Sequence, residues 1–153
     1  GLDFKIKSAF LVSAPKDRKF FSVSSPTGWI NKGVSDMSQI ISSSGTLMYQ
    51  ALNSDKVAHG STYAADCSLY CYPNPLTSGM TPTYLVVEAM LGNALYYYPV
   101  DLPPMEANKC YNVSLTVCRP GSSSPDVPVE KRDVLFDVQV KPWDGNVTVN
   151  EII

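Results

Sequence analysis

The sequence predicts an all-β protein, an antiparallel β-sandwich of about seven short strands with short helical excursions. Three observations carry this expectation. Apolar and polar residues alternate with period two in several separate runs, as a strand with one buried face requires. Twelve prolines and nine glycines fall largely between those runs and mark frequent turns. No helical pattern separates successive strands in the way a βαβ protein needs. The 153 residues fit a single domain, 1–153, long enough to bury a core without staples.

The first strand is expected over residues 4–12, where Phe4, Ile6, Phe10 and Val12 share one parity and Lys5 and Lys7 take the other. Pro15, Lys16, Asp17 and Arg18 turn the chain, and residues 19–23 offer a returning partner. Residues 24–60 are the least strand-like part and read as an irregular, helical insertion. Ser35 is placed to cap a short helix through Met37, Ile40 and Ile41. Leu47, Met48, Ala51 and Leu52 follow Gly45 at helical spacing. Residues 62–72 read as a strand with Tyr63, Ala65, Cys67, Leu69 and Cys71 on one face, ended by Pro73-Asn74-Pro75.

The second half is clearer. Leu85, Val87, Ala89 and Leu91 alternate with Glu88, and Gly92-Asn93 turns the chain into Leu95-Tyr96-Tyr97-Tyr98, which predicts a hairpin. In residues 110–118, Tyr111, Val113, Leu115 and Val117 point inward, while Cys110, Asn112, Ser114, Thr116 and Cys118 point outward. A polar, proline-rich loop spans 119–132. Residues 134–153 then read as terminal strands: Val134, Phe136, Val138 and Val140 alternate with Asp137 and Gln139, and a bend at Pro142-Trp143-Asp144-Gly145-Asn146 precedes a last valine- and isoleucine-rich run.

Composition narrows the function classes. A net charge of −2 supplies no basic field for nucleic acid or an anionic membrane. No run reaches the roughly 18 apolar residues that span a bilayer. Gly1-Leu2-Asp3 leads straight into strand pattern without a signal peptide, so the sequence reads as a mature or trimmed fragment, with Gly1 a candidate expression scar. The four cysteines do not fall into local pairs. Cys67 and Cys71 lie about 13 Å apart along one strand at about 3.3 Å per residue, beyond the roughly 7 Å Cα separation a disulfide tolerates. Cys110 and Cys118 are further apart still, and links between the two strands stay open. The spacings match no common zinc knuckle, so packed or exposed thiols are expected, with no metal site.

No catalytic set emerges, and no cofactor is expected. His59, the only histidine, sits beside Gly60 in a loop and reads as an exposed side chain. Asp66 and Glu88 are a conceivable carboxylate pair for glycoside hydrolysis, yet both read as outward residues of core strands. The loop around Asp126 lacks the regular acidic spacing of a calcium loop. No Gly-x-Ser-x-Gly elbow or phosphate loop is present. Asn112-Val113-Ser114 and Asn146-Val147-Thr148 match the glycosylation acceptor pattern, which matters only in a host that makes the modification. Tyr70, Tyr72, Tyr84, Tyr96 and Tyr98 could stack on sugar rings as an exposed platform, the basis of an alternative reading as a secreted carbohydrate-binding module. Cross-strand pairing on a sheet is the favoured reading of these tyrosines.

A series of short motifs carries a resemblance. Thr83-Tyr84-Leu85-Val86-Val87-Glu88 is followed by Tyr97-Tyr98-Pro99-Val100, then by Met105-Glu106-Ala107-Asn108-Lys109-Cys110-Tyr111-Asn112-Val113. Arg119-Pro120-Gly121-Ser122, Pro125-Asp126-Val127-Pro128-Val129 and Val138-Gln139-Val140-Lys141-Pro142-Trp143 complete it. In this order they resemble the C-terminal domain of the fimbrillins, the type V pilins of Bacteroidetes, and the strand over 4–12 looks like that domain's first. The resemblance implies a transthyretin-like sandwich, with an N-terminal domain and a lipoprotein signal lying outside this chain. It further implies a non-enzymatic fimbrial subunit at the outer-membrane surface. Its partners would be other fimbrial subunits, and host or bacterial surface ligands, with a lipid anchor only through the precursor segment. Family assembly implies strand addition after proteolytic trimming, the donor coming from the C-terminal end. Here Trp143, Val147, Val149, Ile152 and Ile153 are the candidate donor residues. Val147 and Val149 share parity with Glu151 and Ile153 but not with Ile152, so the alternation slips at the end.

Overall fold

A computed structural model of the chain describes residues 3–17, 26–33, 39, 48–77, 79–125 and 134–142. Its strands are β1 (Phe4–Val12), β2 (Ala14–Pro15), β3 (Trp29–Ile30), β4 (Tyr49–Ala51), β5 (Tyr84–Leu91), β6 (Ala94–Asp101), β7 (Lys109–Val117) and β8 (Val134–Pro142). Every strand pairing is antiparallel, and among the described residues only Gln39 and Met48 are helical. The fold class is therefore all-β and antiparallel, as the alternation predicts.

One sheet runs in the order β4-β1-β5-β6, and β2–β3 and β7–β8 form two-stranded ribbons. The β5–β6 hairpin forms where predicted. Leu91 pairs with Ala94 across Gly92-Asn93, and Gly92 takes a φ of 62° that suits a tight two-residue turn. On β7, odd residues are half-buried and even residues exposed from Lys109 to Val117, the predicted pattern. Register places Tyr111, Val113, Leu115 and Val117 opposite Val140, Val138, Phe136 and Val134, the pairing that the two alternations require. Leu115 and Val117 pack against buried Ala89 and Tyr98, which makes the ribbon a second layer over the main sheet.

The main sheet is buried on both faces, and a bulge in β1 distributes its side chains between them. Ile6 pairs with Ala89, but Ser8 pairs with Glu88, so Lys7 is the extra residue. The shift reverses the faces. Phe4 joins Tyr98, Ala89 and Val87, whereas Phe10 and Val12 join Val86 and Tyr97 on the other side. The single apolar face expected for Phe4, Ile6, Phe10 and Val12 is therefore split in two. Leu11 supports the first side, packing with Ala14, Met48, Leu69, Cys71 and Leu85.

Three other expectations are corrected. The chain after β1 does not simply turn: Ala14–Pro15 pairs with Trp29–Ile30, and the Lys16 N–H donates to the Gly28 carbonyl at 2.9 Å. Residues 19–23, the expected partner, lie outside the described residues. Of the residues at helical spacing, Leu47 lies outside the described residues and Met48 is helical, but the helical reading fails beyond it, because Tyr49–Ala51 is a strand whose Tyr49 ring stacks on Phe10 with centroids 6.3 Å apart. The cap at Ser35 and the residues Met37, Ile40 and Ile41 lie outside the described residues. The stretch 62–72 adopts no ladder, as set out below.

Polar groups inside the sheet are matched. Ser8, only 1% exposed, donates its hydroxyl to Glu88 Oε2 at 2.5 Å. Ser8→Ala removes this charge-assisted bond and is expected to cost about 1–2 kcal/mol in urea unfolding. An unchanged midpoint would show that the bond contributes nothing. Buried Asn74 donates to the Thr81 carbonyl at 2.7 Å and to Thr83 Oγ1 at 3.0 Å, and Thr83 donates onward to the Ser13 carbonyl at 2.9 Å. The Asn74 carbonyl accepts the Met105 N–H at 2.7 Å, tying the end of the 62–73 stretch to the approach to β7.

Candidate assembly surface

Strand addition needs backbone groups not already committed to a ladder. In the main sheet the inner strand β1 offers few. β1 is flanked by β5 on one side and by β4 and its continuation on the other. Leu52 N–H donates to the Lys7 carbonyl, Ser54 N–H to Ile6 and Val57 N–H to Phe4, each at 2.8 Å. The outer edge of β6 is met at Tyr97 by Ser122, through reciprocal bonds of 2.9 and 2.8 Å.

The stretch 62–73 differs. From Cys67 to Tyr72 burial alternates, with Cys67, Leu69 and Cys71 half-buried and Ser68, Tyr70 and Tyr72 exposed. That is strand periodicity, and Leu69 and Cys71 reach the core. Yet residues 62–69 join no ladder among the described residues. A side-chain clamp holds them instead: Gln50 Nε2 donates to the Asp66 carbonyl at 2.7 Å, and the Ser68 N–H donates to Gln50 Oε1 at 3.2 Å. Nothing in the sequence pattern marks Gln50 for this role, because the contact spans 16 residues and is set only when β4 docks on β1. The expected strand is thus extended and half-packed, but its ladder is missing.

The expected donor residues Trp143, Val147, Val149, Ile152 and Ile153 lie outside the described residues, as do Asp126 and Asn146. His59 is exposed in a turn, as read from sequence. Asp66 and Glu88 are not brought together. Asp66 is exposed in the stretch clamped by Gln50, whereas Glu88 points to the opposite side of the sheet, half-buried against Ser8 and level with Tyr97. Glu88 is therefore not the outward residue the alternation suggested, because both faces of its sheet are covered. Among the described residues no group of three or more metal-ligating side chains converges.

The five tyrosines do not form one platform. Tyr98 is fully buried, with its ring edge-on to Phe4 at 6.1 Å, while Tyr84 and Tyr96 are half-buried on opposite sides of the sheet. Tyr70 and Tyr72 are each 48% exposed and project from the same side of the extended stretch. Tyr63, also exposed, borders an open hollow of about 480 Å³ lined mainly by polar residues, Asn53, Ser54, Asp55 and Thr62 among them.

All four thiols are free. Burial pushes the Cys71 thiol up to about 11. Burial, then the Asp66 carboxylate, also raises Cys67. Cys110 is exposed on the outward face of β7, and Cys118 is exposed just past its end. Thiolate is the reactive form, so iodoacetamide at pH 8 is expected to modify Cys110 and Cys118 at least about tenfold faster than Cys71, with the Cys71 rate climbing toward alkaline pH. Equal rates by peptide mass mapping would contradict the packing of Cys71.

In comparison with known proteins, no family model matches this chain, no curated protein matches it, and no solved structure matches it.

Proposed function

We propose that this chain is a structural and adhesive domain of a bacterial surface fimbria, a transthyretin-like sandwich of the fimbrillin kind whose subunits join by strand addition. The reading rests on the motif series described above. The observation that favours it is the stretch 62–69, which packs toward the core at its end but lends its backbone to no ladder among the described residues. An incoming strand would satisfy such groups while its alternate side chains fill the space beside Cys67 and Leu69. The candidate donor is the terminal segment with Trp143, Val147, Val149, Ile152 and Ile153. Partners would be other fimbrial subunits and surface ligands of host or bacterial cells, and the work is done at edges and surfaces without catalysis.

Size-exclusion chromatography of the full chain against one ending at Trp143, each with and without protease trimming, tests the reading. Ladders that need both the tail and trimming are expected of a stalk subunit. Monomers throughout would remove that role.

A second reading, a secreted carbohydrate-binding module, is favoured by the exposed Tyr70 and Tyr72 and by the hollow beside Tyr63. It requires saturable binding of oligosaccharides that is lost in Tyr70→Ala and Tyr72→Ala, which a pilin domain without glycan affinity would not show.

A further inference from the structure

The outward face of β7 and the residue that follows it carry a self-complementary spacing of thiols. Cys110, Asn112, Ser114 and Thr116 are exposed on that face, Cys118 is exposed one residue past the strand's end, and Cys110 Sγ lies 3.9 Å from Asn112 Oδ1. Ser114 stands midway between the cysteines, four residues from each. Within one chain the two thiols are about 26 Å apart along the strand, at about 3.3 Å per residue, and do not meet. In two copies aligned antiparallel with Ser114 opposite Ser114, Asn112 faces Thr116 and Cys110 faces Cys118, at both ends. Facing residues in an antiparallel pair have Cα atoms about 4.5–5.5 Å apart, inside the roughly 4.4–6.8 Å window of a disulfide.

The backbone of β7 is suited to such pairing. Among the described residues β7 pairs only with β8, so its other edge presents alternate N–H and C=O groups. The cross-strand neighbours this register creates are small and polar, able to hydrogen-bond across the seam. Only Lys109 and Arg119 bring like charges together, at the two ends of the seam, where salt at about 0.15 M screens them.

We propose that β7 is a self-association edge, through which two copies of this chain pair antiparallel about Ser114 and are locked by two reciprocal Cys110–Cys118 disulfides. A small-molecule disulfide such as oxidised glutathione is the oxidant. One thiolate attacks it and releases a first glutathione thiol. The facing thiolate then attacks the mixed disulfide and releases a second. Each lock thus oxidises two protein thiols and reduces one glutathione disulfide, and the dimer consumes two. Cys67 and Cys71, held half-buried on the inward side, stay reduced.

The test uses the full chain treated with oxidised glutathione and read by non-reducing electrophoresis and peptide mass mapping. The wild type is expected to give a covalent dimer whose linked peptides join Cys110 to Cys118. Cys110→Ser alone and Cys118→Ser alone are each expected to remain monomeric, because each leaves its remaining thiol opposite a serine. Mixing the two variants restores a dimer through one Cys110–Cys118 link. Cys67→Ser with Cys71→Ser leaves dimer formation unchanged. Single variants that dimerise by themselves, Cys110–Cys110 or Cys118–Cys118 links, or glutathionylated monomers only would each overturn the proposal. The Cys110 and Cys118 substitutions leave residues 62–69 and the terminal segment intact, so failure here is distinct from failure of strand addition.

Discussion

Gly121→Ala is expected to destabilise the fold by about 3 kcal/mol, combining an overpacking cost with weakened backbone bonds. A Cβ at this position would stand 2.4 Å from the Tyr97 carbonyl oxygen and 2.9 Å from Cε1 of the Tyr98 ring. Neither neighbour can give way cheaply. The Tyr97 carbonyl accepts the Ser122 N–H at 2.8 Å, and the Tyr98 ring is fully buried. Relief therefore requires the 121–122 segment to lift off β6, losing both bonds that join Tyr97 to Ser122. The midpoint of urea unfolding measures the effect, and a value equal to wild type would mean that this segment does not lie against β6.

Tyr98→Ala is expected to be larger, about 3–5 kcal/mol, because the ring is the largest fully buried side chain among the described residues and its loss leaves a cavity. The ring meets Ala89 and Phe4 from its own sheet and Leu115 and Val117 from the second layer, so it holds the two layers together. Tyr98→Phe separates packing from polarity. The hydroxyl lies 3.4 Å from the Arg119 carbonyl, a long contact, and also takes a backbone hydrogen bond from Gly121, so this variant should lose only about 1 kcal/mol. Similar losses for alanine and phenylalanine would place the stabilisation in the hydroxyl and contradict the packing account.

The parts of the fold that depend on local pattern were legible in the sequence. β5, β6 and β7 follow from strict alternation and from the Gly92-Asn93 turn, and the outward placement of Cys110 follows from the same period, while Cys118 is exposed just past the strand's end. What failed depends on partners far away in sequence. Alternation in residues 4–12 is unbroken by number, so the face reversal at Lys7 becomes visible only when β5 is laid beside it. Tyr49–Ala51 carries helical spacing, yet pairing with Ser8, Ala9 and Phe10 decides its state. The tyrosines misled for a related reason. Period two correctly grouped Tyr96 with Tyr98, but the sequence did not show that the second layer covers that face. In 67–72 the period revealed which side is packed, but Tyr63 and Ala65 of the same expected face are exposed, and a ladder partner leaves no mark in the strand's own residues.

Strand addition at 62–69 is the central claim, and amide hydrogen exchange on assembled and monomeric protein tests it most directly. Trimmed full-length chain is fractionated into monomer and ladder, and exchange is followed peptide by peptide. The expected result is fast exchange at 62–69 in the monomer and strong protection there in the ladder, with the β5–β6 hairpin equally protected in both. Equal exchange at 62–69 in the two fractions, or a chain that stays monomeric after trimming, would contradict the account.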